Sequence, residues 1–295
     1  MSAFEDNIIG INGDKGRRWL AKLDSRVQEL AQKWDLSNLK PFENLTFNYV
    51  LSGMQNSITT VVLKIGIKSQ LLKREAEALT FFKDFGAVNL IDSCKDALLT
   101  IKCSPGNSLM EYFPNRDDEA MEIASDVIRR LHSANQITCD FITLDDLLSE
   151  LNGDYKLPNG YLQKARKIAR HLLETTRNKV VMHGDLHQDN ILHDGNEWRI
   201  IDPSPVVGDP IYELTSFMIN PIDRLWKYEN AQEIVRNRLD KFSQIMQIDA
   251  ERLAQWTFVK SVLCVIWTTG TAARNDRMAL ARLFGNVIGI SNCFC

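Results

Sequence analysis

A chain of 295 residues, 44% hydrophobic and 25% charged, is long enough to bury a sizeable core in one large or two medium domains. Its net charge of −3 gives no drive toward nucleic acid or an anionic membrane and is compatible with a cationic small molecule. The first residues lack the basic and apolar regions of a secretory signal. The longest uncharged run, Ser261 to Ala273, is too short to span a bilayer, and the six cysteines show no paired C-x-x-C spacing. A cytoplasmic protein with free thiols is expected, with neither nucleic acid nor membrane as partner. A soft-metal site at Cys293-Phe294-Cys295 lacks a second Cys/His pair.

From about Lys15 to Trp34 the spacing of Trp19, Leu20, Leu23, Val27, Leu30 and Trp34 predicts one amphipathic helix covering a sheet. Short strands follow at 47–51 and 57–65, separated by a turn at Ser52–Asn56, which predicts a β-hairpin. Lys64 lies mid-strand among Val61, Val62, Leu63 and Ile65, where an unpaired ammonium would be costly. It must either alternate outward on an edge strand or be paired and functional. The helical stretch 73–82 offers two partners, Glu75 and Glu77. Another strand at 97–101 runs into the turn-rich 102–109.

Beyond this point the chain reads as helical: 118–132, a helix capped by Thr143, and 161–176. Five acidic residues and no Lys or Arg fall between Asp140 and Asp154, a composition common in solvated faces and acidic first turns. Asp209 is placed to cap a helix starting near Pro210. Leu253, Trp256, Val259, Leu263 and Trp267 form a buried stripe in the last third.

The densest chemistry lies between these helices. Val181 to Leu192 packs His183, Asp185, His187, Asp189 and Asn190 between apolar flanks, and Asp202 closes the β-branched run Arg199-Ile200-Ile201. Phosphoryl transfer asks for a carboxylate beside the acceptor hydroxyl and for oxygen ligands that hold Mg²⁺ on the nucleotide phosphates. Asp185 fits the first role, and Asn190 with Asp202 fits the second. A zinc site of His183, His187 and His193 is disfavoured by the intervening Gly184-Asp185 and by the absence of an H-E-x-x-H helix.

His183-Gly184-Asp185-Leu186-His187-x-Asp189-Asn190 resembles the catalytic loop of the aminoglycoside phosphotransferase family, and Ile201-Asp202-Pro203 resembles its metal-binding segment. The branch of aminoglycoside/hydroxyurea resistance kinases, which includes streptomycin 6-phosphotransferases, is the most similar. The resemblance runs from about Trp19 to Trp267. It implies an α+β, protein-kinase-like two-lobed fold, with a small β-rich N-lobe over residues 1–102 and a mainly helical C-lobe over 103–295. It implies ATP and Mg²⁺ as cofactors, and a small hydroxylated substrate, of which cationic streptomycin is the example. A metabolite kinase acting on an amino alcohol or sugar derivative is the alternative, followed by a non-catalytic nucleotide-binding regulator.

Carried over residue by residue, the resemblance makes Asp185 the group that orients the acceptor hydroxyl. His187 stands where many protein kinases have a phosphate-contacting Lys, and Asn190 and Asp202 become the metal ligands. Lys64 falls on the α/β-phosphates and Glu75 holds it, with Glu77 as the competing partner. The turn at Ser52–Asn56 would overhang the phosphates. Backbone groups from Ile101 to Cys103 would meet the adenine edge as a hinge.

Overall fold

A computed structural model describes residues 2–43, 45–134, 140–268 and 271–289; the readings that touch Cys139, Cys293 and Cys295 lie outside them. The chain divides into two compact units, Met1–Gly106 and Asn107–Cys295.

The first unit opens with α1 (Ala3–Leu20), started by a reciprocal capping box in which Glu5 N–H donates to Ser2 Oγ and Ser2 N–H donates to the Glu5 carboxylate. A second helix, α2 (Leu23–Lys33), follows. The single helix expected over Lys15–Trp34 is therefore two. α1 is further kinked at Gly13, whose φ of +55° suits a residue without a Cβ. The apolar stripe crosses the break because Trp19, Leu20, Leu23, Val27 and Leu30 all pack on the same core. Periodicity reports the shared face and is blind to where the backbone ladder lapses.

Five antiparallel strands follow: β1 (Leu36–Pro41), β2 (Asn48–Gln55), β3 (Thr59–Gly66), then β4 (Leu90–Cys94) and β5 (Ala97–Ile101) after helix α3 (Ser69–Phe81). Their order is β1-β2-β3-β5-β4. Ser52 to Gln55, expected in a turn, are paired in β2, with Gly53 opposite Val61. The turn is shorter, and Asn56 and Ser57 carry its positive φ values of +50° and +59°. Gly53 is needed in the strand. A Cβ there would lie 2.6 Å from a Leu39 methyl and 2.9 Å from the Ser37 carbonyl, so β1 could not approach. Val61, Leu63 and Ile65 alternate into the core with Leu30, Leu51 and Leu99, while α3 packs against β4 and β5. Arg26 of α2 clamps the β4–β5 turn, with Nε 3.0 Å and Nη2 2.6 Å from the two oxygens of Asp96.

β6 (Pro105–Ser108) spans the division. The second unit is mainly helical: α4 (Asp117–His132), α5 (Leu144–Leu148), α6 (Tyr161–Thr175), α7 (Leu214–Ile219), α8 (Ala231–Met246), α9 (Ala250–Trp267) and α10 (Thr271–Val287). Thr143 caps α5 through a second box with Asp146. Short strands thread between the helices. β11 (Val206–Gly208) pairs parallel with β7 (Ile142–Thr143) and antiparallel with β8 (Val180–Met182), while β9 (Ile191–Asp194) and β10 (Glu197–Ile200) form a hairpin. Arg238 of α8 is fully buried and bonded through all three of its nitrogens. It makes two contacts to Asp117 (2.7 and 3.0 Å) and donates to the carbonyls of Phe217, Met218 and Asn220. Among the described residues, no helix is long and apolar enough to cross a membrane.

Candidate active site

The polar loop begins where β8 ends. Gly184 has φ +83°, and a Cβ there would meet the Ser204 carbonyl at 2.0 Å, so only glycine lets the two loops touch. The same contact is tied by Ser204 N–H donating to His183 O at 2.8 Å. His183 itself is buried. Its Nε2 lies 2.8 Å from the Ile201 carbonyl, which can only accept, and its Nδ1 accepts from Asp185 N–H at 3.3 Å. That fixes one neutral tautomer, and burial pushes the ring's pKa down. His183 is thus a loop brace.

A residue that the sequence reading passed over completes the brace. Glu213, fully buried at the start of α7, accepts from His183 N–H at 2.6 Å and Gly184 N–H at 3.0 Å, with His132 Nε2 3.6 Å away. Burial alone would raise its pKa. The His132 contact and the loop amides hold it below the ordinary carboxylate range. The only sequence signal was a charged residue within the apolar stretch Ile211 to Ile219.

With the backbone held, Asp185 extends its carboxylate toward α7, where Ser216 Oγ donates to Oδ1 at 3.1 Å. Burial again opposes the charge, and the positive charge of Lys260 leads the effects that keep Asp185 ionised. Asn190 is buried. Its Nδ2 donates to the Asp185 carbonyl at 2.9 Å, which fixes the amide and turns its Oδ1 the other way. The β9–β10 hairpin sets Ile191 opposite Ile200, and Ile201 N–H donates to Asn190 O at 3.1 Å. Asp202 therefore follows one residue past Asn190's own partner. It is exposed, with φ +56°. An aspartate tolerates that left-handed backbone better than most residues, and such strain concentrates at functional sites. His187 is half-buried, its Nδ1 accepting from Asp189 N–H at 3.3 Å; Asp189 lies 3.0 Å from the Ser108 hydroxyl.

In the first unit, Lys64 lies on β3, an interior strand flanked by β2 and β5, so the outward edge-strand reading is overturned. Lys64 and Glu75 are both buried, and Nζ lies 2.9 and 2.8 Å from the two Glu75 oxygens. Glu77 faces Lys73 at 3.7 Å on the exposed side of α3. The helical offset of two residues turns Glu77 about 200° away from Glu75's direction. Further along, Ile101 N–H donates to Asn89 O at 2.9 Å and Lys102 N–H to Thr60 O at 3.0 Å. A nucleobase meeting this stretch would use groups other than those two amides. Cys103 is buried.

No three His, Cys, Asp or Glu side chains come together as a metal cage among the described residues. The hard oxygens of Asn190 and Asp202 on one hairpin instead match Mg²⁺, which takes one or two protein ligands and completes its shell with phosphate and water.

Residues 47–271 match the model of a family described as aminoglycoside/hydroxyurea antibiotic resistance kinase. The chain is 24% identical over 269 residues to a streptomycin 6-kinase of Streptomyces griseus, with 86% of each chain covered. To a hydroxyurea phosphotransferase of Kitasatospora aureofaciens it is 26% identical over 266 residues, covering 86% of this chain and 76% of the other. Among solved structures it is similar to an aminoglycoside phosphotransferase, APH(4)-Ia, in ternary complex with ADP and hygromycin B. There the identity is 13% and the TM-score 0.67, covering 90% of this chain and 99% of that one. The α+β fold is protein-kinase-like, with its β-rich part N-terminal and its helical part C-terminal.

Proposed function

The chain belongs to the aminoglycoside/hydroxyurea antibiotic resistance kinase family, and from that premise we propose that it transfers the γ-phosphoryl group of Mg-ATP to a hydroxyl of a small molecule, an aminoglycoside of the streptomycin type. In this reading residues 1–102 form the nucleotide-binding lobe, and residues 103–295 carry the catalytic loop and the acceptor pocket. The observation that carries it is the loop geometry. Asp185 keeps an ionised carboxylate on a backbone fixed by Gly184, Glu213 and Asn190, and among the described residues that carboxylate accepts from one serine hydroxyl.

Catalysis of this kind is positioning and charge neutralisation more than covalent chemistry. Asp185 would accept the acceptor's hydroxyl proton and aim its oxygen, while Ser216 fixes which carboxylate oxygen faces that hydroxyl. Asn190 and Asp202 would hold Mg²⁺, which supplies neutralising charge on the phosphate oxygens when bound. Lys64, kept straight by Glu75, would reach the α- and β-phosphates, and backbone groups of Ile101 to Cys103 would border the base. His187 would donate to the transferred phosphate.

The test is incubation with Mg-ATP and a panel of streptomycin, other aminoglycosides, hydroxyurea, amino alcohols and sugars, read by mass spectrometry. A phosphate added to streptomycin, and absent with Asp185→Asn, is the expected result. Product on a metabolite alone would discard the antibiotic and keep the kinase; no product on any acceptor would sink the reading.

A further inference from the structure

Arg238 is bonded through each of its three nitrogens. A few buried polar atoms of the second unit, on His132, Gln188, Tyr212 and Trp226, have no hydrogen-bond partner among the described residues, and Tyr212 shares its surroundings with a lysine, Lys260. Lys260 stands in the middle of α9, one turn after Trp256 and one turn before Cys264, and is 5% exposed. Among the described residues its ammonium has no oxygen within hydrogen-bond distance. Its directional contacts are with two ring faces, Tyr212 at 5.6 Å and Trp267 at 5.3 Å. Tyr212 is buried at the foot of α7, with its ring edge-on to Trp256 at 5.4 Å, and its hydroxyl has no hydrogen-bond partner among the described residues. A buried hydroxyl left without a partner is costly unless something else completes it, and beside it the lysine's donors have no acceptor among the described residues.

The surroundings say what that partner must be. Burial works against the charge on Lys260, and at neutral pH the ionised carboxylates of Asp185 and Glu213 favour it. Burial pushes the Tyr212 phenol up to about 12 and the Cys264 thiol up to about 11, so both are neutral at neutral pH. Near Asp185 there is therefore a fixed cation with free donors beside a neutral hydroxyl. This set complements an oxygen acceptor and repels a second cation.

We infer that Lys260 and Tyr212 form an acceptor subsite that takes a neutral or anionic oxygen neighbouring the hydroxyl presented to Asp185. The inference rests on the phosphotransferase reading and narrows its substrate class. The group next to the reacting hydroxyl is a carbonyl, hydroxyl or acid oxygen, and any ammonium or guanidinium of the acceptor points elsewhere.

Calorimetric titration of the ADP-loaded protein tests this without turnover, using hydroxyurea, with a carbonyl near its hydroxyl, and ethanolamine, with an ammonium in that place. Wild type should prefer hydroxyurea. Lys260→Met should weaken hydroxyurea by roughly ten- to a hundred-fold, as for a lost charged hydrogen bond, and leave ethanolamine unchanged or improved. Tyr212→Phe, whose lost hydroxyl had no partner in the fold, should weaken hydroxyurea by about ten-fold or less and decides the matter if Lys260→Met does not fold. Hydroxyurea affinity unchanged in the folded variants, a wild-type preference for ethanolamine, or binding of neither probe would overturn the subsite. A retained preference with no phosphorylated product on any acceptor would instead sink the kinase reading and leave the subsite standing.

Discussion

Two buried lysines, one in each unit, are treated in opposite ways. Lys64 is held by both oxygens of Glu75 at 2.8–2.9 Å. Lys260 is surrounded by charge and aromatic faces, and no acid reaches it within hydrogen-bond distance among the described residues. Their acids differ in the same way. Glu75 gives both oxygens to its lysine, whereas Asp185 accepts from a serine through one oxygen and stays ionised. A buried lysine gripped by both oxygens of an acid is fixed in direction, while a charge near a carboxylate with no such grip is a place for a ligand.

The largest effect expected is on the open acid. Asp185→Asn should lower turnover by roughly 10²- to 10⁴-fold, leaving ADP affinity and the unfolding midpoint near wild type. ADP binding that collapsed with turnover would erase the distinction between the two acids. The closed pair should behave in reverse. Glu75→Leu strands a buried ammonium and should cost roughly 3–5 kcal/mol in urea unfolding, and Lys64→Met with Glu75→Leu should recover most of that stability. A double variant as unstable as the single one would show that Lys64 and Glu75 do not form a closed unit.

Glu213 is an intermediate case, a buried carboxylate closed on backbone amides rather than on a lysine. Glu213→Gln should cost roughly 1.5–3 kcal/mol at neutral pH and slow turnover through a loosened loop. Its folded pKa is depressed, so its stabilisation is full above the ordinary glutamate pKa of about 4.3 and is lost as the pH falls through the depressed value. The stability gap between variant and wild type should therefore narrow in acid. A gap that widened there would contradict the assignment. The smallest effect is at Tyr212→Phe, where unfolding should move by no more than about 0.5–1 kcal/mol because the hydroxyl lost was unpartnered.

The loop from His183 to Asn190 was legible because its residues are local. Apolar flanks give β8 and β9, and the hairpin register carries Asn190 to Asp202 with no long-range information. The N-terminal helices were legible only as a face, since a stripe of buried side chains survives a broken backbone. The overhanging turn was misplaced. Ser52 to Gln55 have turn composition, but strand pairing and the close approach of β1 at Gly53 outweigh it.

What the sequence determined by itself was the polar loop and the hairpin that follow β8, because the spacing of Asp185, Asn190 and Asp202 is short and the hairpin register is local. Only the tertiary structure decided how the remaining charges are placed within each unit. Glu75 rather than Glu77, Glu213 under the loop and Lys260 behind Tyr212 are all carried on elements from elsewhere in the chain. Along the chain, Lys260 merely bounds an apolar run; packing α9 beside the turn before α7 puts its ammonium against the Tyr212 and Trp267 rings. Charges in a sequence are all solvated alike, and burial alone makes one differ from another.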